Sequence, residues 1–171
     1  MKIAGIDPGL SGAIAILDET TVRCVDAPTL AVKSGKKTRQ HFDLQAMART
    51  LRDCSPDHVF IESVHSMPAQ GVASSFQFGM GFGMWQGILA AMGIPYTLVT
   101  PQRWKKAMLA DMGSEKSAAR LRAGQLFPSS AEQFARVKDD GRAEAALIAE
   151  YGRRVYQPNA INQVPEVLRG E

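Results

Sequence analysis

A chain of 171 residues, 45% hydrophobic and 22% charged, is long enough to bury a real core; this excludes a disordered protein and predicts one compact domain. Lys and Arg total 20 against 17 Asp and Glu, and the net charge of +3 permits a polyanionic partner without demanding one. Two cysteines, Cys24 and Cys54, with no CxxC pair argue against a zinc site, and the start lacks the basic-then-apolar pattern of a signal peptide, which predicts a cytoplasmic protein with reduced thiols.

In chain order, Lys2–Asp7 reads as a strand too apolar to face water on either side, followed by strands at 12–17 and 21–26 that form a meander across a short turn. Residues 27–41 read as a loop carrying Lys33, Lys36, Lys37 and Arg39 and no acid. Phe42, Leu44, Met47, Ala48 and Leu51 recur at helical spacing, and His58–Glu62 (HVFIE) is a fourth strand. A loop over 63–70 leads into a long helix at 72–92. Its apolar stretch is interrupted by Gln77, Gln86 and glycines, and so predicts a buried soluble helix rather than a membrane span.

A fifth strand covers 95–99. Thr100 and Pro101 then mark a helix start, as N-cap and first helical residue. Ser114 is the expected N-cap of a helix over 115–127, which Pro128 stops, and a last helix runs from about Asp139 to Tyr156. The order βββ-α-β-α-β-α-α-α predicts an α/β fold, a mixed five-stranded sheet flanked by helices, over residues 1–156, with an irregular tail over 157–171.

Two strands end in acids, Asp7 and Glu62. Strand carboxyl ends commonly line the working edge of an α/β sheet, and the first and fourth strands become neighbours there if the meander folds to one side. Like charges at that separation cannot both stay ionised without a cation. The last helix adds Asp140 and Glu144, four apart on a face that continues into apolar residues. Taken singly, Asp139 or Asp140 fits an N-cap, Glu144 a surface pair with Lys138 or Arg142, and Asp7 a turn residue. Acids from three separate segments point instead to Mg²⁺ or Mn²⁺, hard ions that prefer carboxylate oxygens and that, in pairs, clamp the attacking and leaving oxygens of a phosphodiester.

Five ordered segments, GIDPGLSGAIAI, HVFIESVHSMPAQG, PYTLVTPQRWKKAM, SEKSAARLRAGQLFP and DDGRAEAALIA, together resemble the RuvC-like Holliday junction resolvases, most closely the branch found in phages, prophage regions and chloroplasts. The resemblance spans about residues 1–152. It implies an RNase H-like fold and a homodimer that nicks opposed strands of a four-way DNA junction with Mg²⁺. By position it implies Asp7, Glu62, Asp140 and Glu144 as metal ligands. One departure stands out: housekeeping members carry two aspartates three apart on the last helix, where this chain has Asp139, Asp140 and Glu144, so Asp139 and Asp140 are both open as the ligand.

The resemblance also favours Lys105 or Lys106, and Lys116, beside the scissile phosphate, where a cation stabilises developing negative charge. Lys36, Lys37 and Arg39, then Arg103, Lys105, Lys106 and Arg120, form basic patches suited to phosphate contact, although each lysine alone also reads as a solvated side chain. Met67, in a Met-Pro pair after Glu62, is a candidate wedge at the junction centre, with loop packing as the other reading. Gly79, Gly83 and Gly87, four apart, allow close approach of another backbone, either the sheet beneath or the same helix of a second subunit. Other RNase H-fold nucleases acting on RNA–DNA hybrids or branched DNA, and a non-catalytic junction binder, are the competing functions.

Overall fold

The computed structural model describes residues 1–19, 21–35, 37–63, 71–113, 115 and 117–156, with 34 and 72–74 as backbone. Strands β1 (Lys2–Asp7), β2 (Ala13–Asp18) and β3 (Thr21–Asp26) are the expected meander. They continue through β6 (His58–Glu62) and β7 (Tyr96–Val99) into one sheet of order β3-β2-β1-β6-β7. β1 pairs antiparallel with β2 and parallel with β6, and β6 pairs parallel with β7, so the sheet is mixed and five-stranded as the sequence predicts.

The stretch 27–41 corrects the sequence reading. It is not a loop but most of a β-hairpin, β4 (Thr29–Ser34) and β5 (Lys37–Phe42), paired outside the main sheet. Lys37, Thr38, Arg39, Gln40 and His41 are all exposed, so neither a buried run nor an apolar alternation marked the strand. The available signal was the two-residue link after Ser34, opened by Gly35 at φ 61°, a backbone state that glycine adopts without strain. Phe42 consequently ends β5, and helix α1 (Leu44–Cys54) starts behind Asp43, whose side chain accepts from the Ala46 N–H at 3.0 Å.

Both faces of the sheet are covered, which explains the unbroken apolar runs of β1 and β6. On one face α1 and α2 (Val72–Ala91) bury Met47, Leu51, Trp85 and Leu89 against Ile6, Ile14 and Ile61. On the other, α3 (Pro101–Leu109), α4 (Ala118–Leu126) and α5 (Asp140–Val155) bury Trp104, Ala123, Leu147 and Ile148 against Ile3, Leu17 and Phe60. Two short 3₁₀ segments, Pro128–Phe134 and Val137–Asp139, join α4 to α5.

α5 lies very close to the sheet. A Cβ added at Gly5 of β1 would collide with the backbone of Ala145 and Ala149; one at Gly141 would meet Ser11, and one at Gly152 the Phe60 ring. Small residues where helix and strand cross allow this approach.

α2 is buried on one side only. Gly81 packs tightly against Pro8 and the Phe42 ring, whereas an added Cβ at Gly79, Gly83 or Gly87 would meet nothing within 4 Å. The last three share an exposed strip with Phe76, which is 69% exposed, so of the two readings of this glycine row, packing on the sheet is overturned. Among the described residues no helix is long and apolar enough to cross a membrane.

Candidate active site

Alternation along β1 puts Ile3, Gly5 and Asp7 on the α5 side, and along β6 it puts Phe60 and Glu62 there. The register pairs Ile6 with Ile61, so Asp7 and Glu62, one step on, end adjacent parallel strands side by side. Glu144, one residue before the crossing point at Ala145, is delivered to the same edge by α5. The charges of Glu144 and Glu62 are both felt at Asp7.

Asp7 opens a tight turn. Its Oδ1 accepts from the Gly9 N–H at 3.1 Å, and Gly12 packs directly against its carboxyl. Burial pushes its pKa up to about 7; the Gly9 hydrogen bond opposes this, and repulsion from Glu144 and then Glu62 adds to it. Glu62 is buried, and its Oε1 accepts from the indole Nε1 of Trp104 at 2.9 Å. Burial raises its pKa, the Trp104 hydrogen bond lowers it, and Glu144 raises it again.

Lys105 is the cation these three acids share. Its Nζ lies 3.4 Å from Glu144 Oε1, and its charge lowers the pKa of both Asp7 and Glu62.

The two adjacent acids of the last helix part company. Asp139 is 1% exposed and held by Arg136, whose backbone N–H and guanidinium both donate to it, with Arg142 at 4.0 Å. Asp140 is half-exposed, and its Oδ1 accepts from Arg120 Nε at 2.7 Å, one turn before Glu144. Arg142 also chelates Asp26 of β3, which ties the start of α5 to the sheet. Asp139 is therefore engaged in a closed pair, and Asp140 shares the open face with Glu144.

Of the other predicted site residues, Lys105, Arg103 and Lys106 are exposed on α3, and Lys37 and Arg39 are exposed on β5. Arg120 is engaged with Asp140. The hairpin starts from the same edge as Asp7: the Ala27 N–H donates to the Gly12 carbonyl at 2.9 Å. Lys36, Met67 and Lys116, and the expected cap Ser114, lie outside the described residues.

Among the described residues no three His, Cys, Asp or Glu side chains are gathered closely enough to hold an ion as they stand. The donor set nevertheless fits a hard divalent cation in its chemistry. It is all oxygen, it comes from three elements, and its members repel one another at a desolvated edge.

Sequence reasoning missed Trp104. An aromatic one residue before Lys105 reads as core, and only the tertiary structure brings its N–H to Glu62. Trp104→Phe keeps the packing and removes the donor. The pKa of Glu62 should then rise, as an NMR titration of its side-chain carboxyl in the two proteins would record.

A mixed five-stranded sheet of order β3-β2-β1-β6-β7, with helices on both faces, has the architecture of the RNase H-like class of fold. Among solved structures, Thermus thermophilus RuvC in complex with a Holliday junction substrate matches with a TM-score of 0.59 at 15% identity, over 90% of this chain and 95% of that one. A second Thermus thermophilus RuvC structure matches at 0.56 and 16%, over 90% and 96%. The yeast mitochondrial Holliday junction resolvase Ydc2 matches at 0.52 and 16%, over 89% and 78%. The chain thus has the RuvC-like form of the RNase H fold. No family model and no curated protein matches it.

Proposed function

We propose that this protein is a structure-selective DNA endonuclease that resolves four-way junctions by paired, symmetric nicks. The observation that carries the reading is the meeting of Asp7, Glu62 and Glu144 at one edge of a RuvC-like fold. Asp7, Glu62, Asp140 and Glu144 would hold Mg²⁺, or Mn²⁺ in its place. Bound there, the metal supplies a Lewis acid and an activated water for phosphodiester hydrolysis. Asp7 and Glu62 orient from the sheet, with the Gly9 N–H and Trp104 fixing one oxygen of each, while Glu144 and Asp140 approach from α5. Lys116 is proposed beside the scissile phosphate.

Lys105, Lys106 and Arg103 on α3, Lys37 and Arg39 on the hairpin, and Lys36 and Arg120 are proposed to contact the DNA backbone, with Met67 as a wedge. Lys105 beside Glu144 and Arg120 on Asp140 put positive charge at the acidic edge itself, so a phosphate backbone reaches the carboxylates without facing them unscreened. We assign this activity to residues 1–156, and the proposed setting is cytoplasmic.

The test is incubation of the purified protein with an end-labelled mobile junction and Mg²⁺. Paired nicks leaving ligatable ends support the reading. Binding without cleavage, or equal cleavage of hybrids and flaps, would replace it with the junction-binder or the general-nuclease reading.

Paired nicking requires two active sites, and the exposed Gly79–Gly83–Gly87 strip of α2 is the proposed homodimer contact. Gly83→Glu places a charge on that strip at no cost to the fold, because an exposed helical glycine gains about 0.5–1 kcal/mol on replacement by a better helix former. Sedimentation should show a monomer that is no less stable than the glycine protein. Its products should be unpaired single nicks.

A further inference from the structure

Two consecutive residues of α3 address two members of the carboxylate cluster in different ways. Trp104 is fully buried and donates a fixed hydrogen bond to Glu62. The Lys105 side chain is 46% exposed and lies over the Trp104 ring, with Nζ 5.1 Å from the ring centroid and 3.4 Å from Glu144 Oε1. We propose that Lys105 is a built-in counter-ion of this cluster, occupying the divalent cation's place in the free protein and leaving it when a DNA phosphate draws the ammonium away. This rests on the metal-dependent reading above.

One ammonium among three carboxylates compensates them only in part, so the cluster still favours a divalent ion. Ammonium and metal repel each other at that range in any dielectric the edge can offer, so each weakens the other's hold on the carboxylates. The cation–π contact with Trp104 and the pair with Glu144 are both of the modest, partly exposed kind, and a phosphate oxygen replaces them with a charge-assisted hydrogen bond of at least equal strength. Metal affinity and junction affinity are then linked, and each raises the other by the same factor. The arrangement keeps the nuclease poorly metallated until a substrate backbone arrives.

The experiment is a Mn²⁺ titration of the full-length protein without DNA, at about pH 8 so that Asp7 is mostly ionised, read by the electron paramagnetic resonance signal of free Mn²⁺. Lys105→Met should bind Mn²⁺ about tenfold more tightly than wild type, the effect of removing a unit charge roughly 5 Å from a divalent ion in a water-like dielectric. Lys105→Arg keeps the charge and should match wild type. So should Arg52→Met, which removes the same charge from exposed α1 on the opposite face. Unchanged or weaker binding by Lys105→Met, with wild-type Mn²⁺ binding that Asp7→Asn abolishes, overturns the counter-ion alone. Mn²⁺ binding indifferent to Asp7→Asn overturns the metal-site reading and the counter-ion with it.

Discussion

On the proposed function, Asp7→Asn is expected to reduce junction cleavage by roughly a thousandfold or more while leaving junction binding intact, because several kcal/mol of metal-borne charge stabilisation would depend on Asp7 as a ligand. The same substitution makes a second, independent prediction about the metal-free protein. The folded pKa of Asp7, about 7, lies above its ordinary value of 3.8, so the folded state prefers the protonated acid. Stability from this group is therefore fully present below about pH 4 and is lost as pH rises towards 7, with up to about 4 kcal/mol at stake over that window. Asparagine cannot ionise and escapes this loss. Urea unfolding without metal should show Asp7→Asn gaining on wild type between pH 5 and pH 8, in rough terms by a few kcal/mol. Added Mn²⁺ should close the gap by stabilising wild type alone. Cleavage that survives the substitution, or a stability difference flat in pH, would mean that Asp7 is a turn residue and nothing more.

The adjacency of Asp7 and Glu62 was legible because strands buried on both faces leave a plain signal, an apolar run ended by an acid. The helix carrying Asp140 and Glu144 was legible for a similar reason, the continuation of their face into Leu147 and Ile148. Much of what escaped depends on which partner each side chain finds once the chain has folded. Arg136 and Arg142, each three residues away, close on Asp139, while Arg120 reaches Asp140 across 20 residues of sequence. Trp104 meets Glu62 across 42 residues of sequence. The hairpin escaped because β5 is exposed on both sides and has no apolar period to read, and Leu30 and Val32 of β4 are too short a run to mark a strand alone. In α2 the glycine spacing was visible but its direction was not: Gly81, between Gly79 and Gly83, is the one against Pro8 and Phe42, and its neighbours face outward.

Gly5→Val is expected to have the largest effect on the fold of any single substitution on β1. Glycine inside a strand normally weakens it, and here the compensation is the passage of α5 directly over the missing side chain. A Cβ at this position meets the backbone of Ala145 and Ala149, which has no rotamer by which to yield, so helix and sheet must separate. Overpacking of this kind costs about 3 kcal/mol or more. Denaturant unfolding of Gly5→Ala should show most of that loss, since the first carbon makes the collision, and Gly5→Val should fall further. The lifting of α5 also carries Glu144 away from Asp7 and Glu62. Mn²⁺ affinity should therefore fall in whatever fraction of Gly5→Ala remains folded, although no proposed ligand has been touched. Wild-type stability in Gly5→Ala would place α5 farther from the sheet than described and would take Glu144 out of the site.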